Sequence, residues 1–205
     1  MTTAVVLALL AYLVGSIAFA VIVSRAFGLP DPRSYGSHNP GATNVLRTGK
    51  KVAALLTFLG DAMKGWLAVA IASHFADADY MEITMAAAAV AVVVGHMYPL
   101  FFRFQGGKGV ATALGALFGL NVYVALGAAA TWLIMAVFFR ISSLSALVAA
   151  LFAPFFTMIL YHPTHPYFVA VLVLSALLIW RHRSNIRNLL SGTEGRLGQG
   201  KSAER

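Results

Sequence analysis

Lys108 sits among three glycines in the run Gly106-Gly107-Lys108-Gly109-Val110-Ala111-Thr112, directly before an apolar stretch. Glycines let consecutive backbone N–H groups turn into one concavity. A helix beginning after Gly109 adds partial positive charge, and Lys108 adds a full one. Such a turn suits a phosphate. It is not a Walker A loop, because Gly109 stands where Ser or Thr would follow the lysine and the spaced upstream glycine is missing. A plain basic turn at a membrane surface would have the same composition.

A second polar stretch is denser. Gly36-Ser37-His38-Asn39-Pro40-Gly41-Ala42-Thr43-Asn44-Val45-Leu46-Arg47 offers hydroxyl, amide and guanidinium donors within twelve residues, with Pro40-Gly41 supplying a turn. Arg47 can grip phosphate oxygens bidentately and Ser37 can donate a hydroxyl hydrogen bond. The bland alternative is a capped loop lying on a membrane, yet so rich a cluster is unusual in this chain. In Arg181-His182-Arg183-Ser184-Asn185-Ile186, His182 and Asn185 share a face at helical spacing. Alone, this segment and Arg140-Ile141-Ser142-Ser143-Leu144-Ser145 read as a surface anchor and a basic helix cap. Asp61 and Lys64, three apart within an apolar run, read as a structural ion pair, since charges there must pair or face a polar interior. His74 and Asp79 match the HxxxxD spacing of many acyltransferases, but their loop is far in sequence from every basic cluster, and the match reads as coincidence.

The elements that must position these groups are membrane helices. Of 205 residues, 60% are hydrophobic and only 11% charged, too few charges to cover a soluble domain of this size. The apolar residues fall in runs near Ala4–Phe27, Val52–His74, Ile83–Phe102, Ser143–Tyr161 and Tyr167–Trp180. Most approach the ~20 residues that cross a ~30 Å hydrocarbon layer. The first run lacks a basic n-region and a small-residue cleavage site, so it reads as a mature helix and not a signal peptide. Between Val110 and Phe139 a longer run is interrupted at Gly119-Leu120-Asn121. A break there gives about seven crossings, and without it there are about six.

Charge decides between the two. With seven crossings, 14 of the 15 Lys and Arg residues fall on one side, leaving Asp77, Asp79 and Glu82 on the other. The positive-inside rule then predicts an all-α integral membrane protein of about seven transmembrane helices, N-terminus periplasmic and C-terminus cytoplasmic. Residues 1–190 form one transmembrane domain with cytoplasmic loops at 28–51, 103–109 and 181–190. The polar residues 191–205 read as a disordered tail. The chain has no cysteine, hence no disulfide or thiolate metal site.

Together the motifs are more specific than any one alone. GSHNPGATNVLR at 36–47, HMYPLFFRFQGGKGVAT at 96–112, RHRSNI with the later Gly192-Thr193-Glu194, and GDAMKG around Asp61 and Lys64 resemble the bacterial acyl-phosphate–glycerol-3-phosphate acyltransferase family (PlsY). The similarity covers nearly the whole chain. It implies a multi-pass protein of the bacterial inner membrane with its active site facing the cytoplasm. The activity implied is transfer of a fatty acyl group from acyl phosphate to the 1-hydroxyl of glycerol 3-phosphate. The products would be lysophosphatidic acid and phosphate, the first step of phospholipid synthesis.

The resemblance places His182, Lys108 and Arg47 at the reacting groups. Ser37, Asn39, Gly41, Thr43, Asn44, Gly106, Gly107, Gly109, Thr112, Ser142, Ser143 and Asn185 are the expected substrate contacts, with Ser145 an alternative for the serine opening the sixth helix. No metal, cofactor, nucleic acid or obligate protein partner is implied; the partners are the two substrates and membrane lipids. No Ser-His-Asp set supplies a base. His182 reads as a binding or orienting residue, and the family's mechanism is one in which the substrate's own phosphate takes the proton. A transporter for small organophosphates is the competing reading. Against it stand the scarcity of intramembrane polar residues and the lack of a sequence repeat.

Overall fold

Where no water reaches the backbone, each N–H and C=O must find its partner within the segment, and long apolar runs therefore become helices. The computed structural model describes residues 1–197, and these form ten α-helices and short 3₁₀ turns with no strand. In chain order the helices are α1 (Thr2–Gly15), α2 (Phe19–Ala26), α3 (Ala42–Leu46), α4 (Lys51–Phe75) and α5 (Met81–Met97). Then follow α6 (Val110–Leu120), α7 (Val122–Phe139), α8 (Ser142–Leu160), α9 (Pro166–Arg181) and α10 (Arg183–Leu190). Five stretches are long and apolar enough to cross a membrane, and a sixth if α9 and α10, bent by 58°, count as one. The chain is a multi-pass membrane protein.

Asn121 does break the long run. Its side-chain oxygen accepts hydrogen bonds from the Tyr123 and Val124 N–H groups, capping α7, and leaves α6 only 11 residues long. The first run departs from the single helix expected of it. It breaks between α1 and α2, where Ser16 Oγ donates to the Tyr12 carbonyl and Val21 N–H turns to Ala18. The Ile17 carbonyl is thereby released, and Lys64 Nζ donates to it at 2.6 Å. The 28–51 segment, expected to be loop throughout, contains the short helix α3.

The core centres on α5, which packs against α1, α4, α6 and α9, while α4 lies along α6 and α7 along α8. Ala88, Ala89, Val92, Val93, Met97 and Ala116 are wholly buried. Small residues let backbones approach. A Cβ on Gly115 of α6 would collide with the Ala62 carbonyl of α4. The periphery carries Leu9, Leu55, Trp66, Ile134, Phe138 and Ile159 exposed, a surface that only lipid tolerates.

Candidate active site

The tertiary fold gathers the separated polar segments at one end of the bundle. The glycine loop is held from two sides. Below it, Gly107 N–H donates to the His96 carbonyl at 3.1 Å. Above it, the Arg181 guanidinium donates to the carbonyls of Gly106 and Gly107 at 3.0–3.2 Å while lying over the Tyr98 ring. In a trans peptide C=O and N–H point oppositely. Tying the Gly107 carbonyl to Arg181 therefore turns the Lys108 N–H the other way. Gly107 has no room for a Cβ, which would strike the His96 ring, and Gly109 adopts φ +85°, a conformation L side chains rarely take.

A buried ionic floor supports this loop. Asp61 and Lys64 pair at 2.9 Å with both side chains nearly inaccessible. His96 Nδ1 lies 3.4 Å from Asp61 and 3.1 Å from Thr112 Oγ1. Thr112, expected to contact substrate, is wholly buried, so its hydroxyl belongs to the floor.

Lys108 reaches across to α10, donating to Asn185 Oδ1. Asn185 Nδ2 donates to Glu194 Oε1 at 2.6 Å, and Ser143 Oγ donates to the same oxygen at 2.6 Å. Thr43 Oγ1 and Ser142 Oγ are hydrogen-bonded at 3.1 Å, joining the 36–47 segment to α8. Ser145 is turned inward, its hydroxyl donating to the Ile141 carbonyl. Thus Ser142 and Ser143, not Ser145, face the cluster. Pro40 lies against Gly107, and Gly195 against the Arg47 guanidinium. Ser37 is exposed at the rim, and Asn39 packs against Gly41.

Asn44 differs from its expected role as a substrate contact. It is buried, its amide donates to the Pro32 and Tyr35 carbonyls, and its oxygen accepts from Ser37 N–H. Both amide hydrogens are spent on shaping the loop. The chain after Ser191 also departs from the expected disordered tail. As far as Leu197 it folds back, with Glu194 in the cluster and Leu197 N–H donating to the Arg140 carbonyl at 2.6 Å. The rest of that expected tail, 198–205, lies outside the described residues. His74 lies in the last turn of α4 and Asp79 just past it, at the far end from the site, about 37 Å along its 25 residues.

Sequence reasoning did not single out Glu194 or His96 for a site role and treated Arg181 as an anchor. The available signal was an acid soon after a basic segment, and a histidine and an arginine flanking two motifs.

A family model of glycerol-3-phosphate acyltransferases matches residues 5–192. The chain belongs to that family. The glycerol-3-phosphate acyltransferase of Burkholderia ambifaria is 60% identical over 197 residues, spanning 96% of this chain and 92% of that protein. The one from Burkholderia pseudomallei is 62% identical over 193 residues, spanning 93% and 94%. Among solved structures, the glycerol 3-phosphate form of PlsY, an integral membrane glycerol 3-phosphate acyltransferase, superposes with a TM-score of 0.88. It is 39% identical, with 95% of this chain and 96% of that one covered. The lysophosphatidic acid form gives 0.86 at 38% identity, with 95% of each chain covered.

In this acyltransferase-family chain an apolar cleft of about 60 Å³ lies beside the site between α6, α7, α8 and α9. Val110, Ala146 and Leu178 line its mouth, each within a turn or so of Lys108, Ser143 and His182 respectively.

Burial is the chief influence on Lys108 and pushes its ammonium below the usual lysine value. The Glu194 carboxylate opposes the shift, while Arg181 and Arg47 add to it. An incoming anion would relieve that repulsion. His182 is held lower still, from the usual 6.5 to about 4, first by burial and then by Lys108 and Arg181, against the Leu178 carbonyl. Its Nδ1 lies 2.7 Å from that carbonyl, so the neutral ring donates from Nδ1 and presents Nε2 as an acceptor. Because the unfolded chain takes up this proton first, stability should fall as pH drops from 6.5 through about 4. His182→Gln should flatten that slope, as read from unfolding midpoints in detergent at pH 7 and pH 5.

Proposed function

We propose that this protein transfers a fatty acyl group from acyl phosphate to the 1-hydroxyl of glycerol 3-phosphate, releasing phosphate and forming lysophosphatidic acid. One observation carries the reading: Arg47, Lys108 and the glycine loop converge at the mouth of an apolar cleft, in a chain of this family. Both substrates bear phosphate and one bears a long apolar chain, and the site has cations for the first and a cleft for the second.

Held side by side, the acceptor's 1-hydroxyl oxygen attacks the acyl carbonyl carbon, forming the ester. The bond from that carbon to the bridging phosphate oxygen breaks, and inorganic phosphate leaves. Lys108, Arg47 and the free N–H groups at the start of α6 stabilise the negative charge on the phosphates. The hydroxyl proton passes to a substrate phosphate oxygen, since a His182 held near pKa 4 is a weak base. Proximity supplies much of the remaining acceleration. Ser37, Thr43, Ser142, Ser143 and Asn185 orient the phosphates.

The site faces the cytoplasm of a bacterial inner membrane, with the N-terminus on the opposite side and seven crossings. The course of the chain supports this reading. α6 leaves from the site end and α7 returns to it at Arg140, so the pair, joined at Asn121, gives the chain the sidedness of two crossings although α6 is only about 16 Å long. The basic segments then share one side, as the positive-inside rule requires.

The test is purified protein in detergent with acyl phosphate and glycerol 3-phosphate, following phosphate release. Release that depends on both substrates is expected. Absence of release, with glycerol 3-phosphate flux into proteoliposomes, would replace the enzyme with a transporter.

A further inference from the structure

The residues that line the apolar cleft stop short of a packed layer of side chains. The cleft's four walls share a common depth scale, because α6 and α8 run away from the site while α7 and α9 run toward it. At the deepest level the lining is Leu117, Ala128, Ala153 and Val171. One turn further, the Phe156 ring of α8 sits on Gly127 of α7, so close that a Cβ there would meet ring atoms at 2.9–3.2 Å. Leu120, Val124 and Tyr167, all buried, fill the same layer. Tyr167 is itself pinned by its hydroxyl, which donates to Met85 Sδ at 3.1 Å. The wall above this layer on α8 is built only of alanines at the lining positions: Ala146, Ala149, Ala150 and Ala153.

Resting on the acyl-transfer reading above, we propose that Phe156 packed on Gly127 is a ruler that limits the length of the acyl chain, with Ala146, Ala150 and Ala153 as graded marks along it. From Ser143 to Ala153 is about 15 Å of helix, roughly half of a ~30 Å hydrocarbon layer, and so the depth of one leaflet's acyl chain. A chain that ends above Phe156 fills the cleft. A longer one must push the ring off Gly127 or leave through the open side. Each alanine enlarged to leucine raises the floor to its own level.

The experiment is acyl transfer by the full-length protein in detergent, using a series of saturated acyl phosphates of increasing length. The preferred length should shorten in the order Ala153→Leu, Ala150→Leu, Ala146→Leu. Phe156→Ala should extend it. Beyond each new limit the rate should fall at least tenfold, the discrimination that apolar pockets achieve per methylene. KM for glycerol 3-phosphate should not change, because these positions do not touch the polar cluster. A profile that stays put in all four variants overturns the ruler, as does an equal loss at every length. Phe156→Leu, a smaller change, guards against simple unfolding: activity on the shortest donor certifies the site, and its limit should move less than that of Phe156→Ala. If the unaltered protein transfers no acyl group of any length, the functional reading fails instead.

Discussion

Replacing Lys108 by alanine is expected to lower kcat/KM for acyl transfer by about 10²–10³-fold, the usual cost of removing one preorganised donor at developing charge. Lys108 is the one formal charge within the glycine loop, and its ammonium spans from that loop to Asn185 on α10. It is held partly out of water among Arg47, Arg181 and Glu194, where an added anion is worth more than at an open surface. The fold should survive, because the loop stays tied through Arg181 and the His96 carbonyl, neither of which uses the lysine side chain. Phosphate release and an unchanged size-exclusion profile are the measurements. Lys108→Gln, which can still reach Asn185 but carries no charge, should be nearly as impaired. Retention of more than a tenth of the rate in both variants would remove the loop from the site. His74→Ala, at the far end of α4, should act like the unaltered protein.

The largest stability effect is expected from Asp61→Ala. Removing one member of a buried ion pair leaves the other charge uncompensated and costs about 3–5 kcal/mol. Here the residue left behind is Lys64, whose side chain is almost inaccessible between α4 and the break in the first span. The double variant Asp61→Leu with Lys64→Met should recover much of the loss, because a well-packed apolar pair avoids desolvating two charges. Recovery should be incomplete, since the Ile17 carbonyl, freed at the helix break, would then lose its lysine partner. Thermal midpoints in detergent would show the order. A double variant no better than the single one would mean that the pair's partners, not its charge balance, hold the region. Asp61→Ala should also weaken glycerol 3-phosphate binding, because His96, which supports the glycine loop, leans on that carboxylate.

The helix break at Asn121 was legible because a polar residue with a capping side chain interrupts an apolar run too long for one crossing. The break after Gly15 was not, because Ser16 and Ile17 fit an uninterrupted apolar helix; the lysine that takes up the freed Ile17 carbonyl arrives from α4. Asn44 and Thr112 show the opposite error. Each lies in the right motif, yet composition cannot distinguish an amide that binds a ligand from one that closes its own loop. Ser142 and Ser143 could be separated from Ser145 only when α8 was placed, since Ser145 bonds its own helix while the other two meet Thr43 and Glu194.

The anion-binding character proposed for the glycine loop with Lys108 and for the stretch ending at Arg47 comes from sequence alone. Local composition sets local chemistry: glycines free a backbone for anions, and cations mark one side of a membrane. Their convergence depends on contacts between residues 77 and 99 positions apart, such as Lys108 with Asn185 and Thr43 with Ser142. The fold alone decided that Arg181 grips the loop, that Glu194 returns to the cluster, and that an alanine-walled cleft lies between α6, α7, α8 and α9. Each depends on which helix faces which, and packing of nearly uniform apolar surfaces leaves little trace in any one segment.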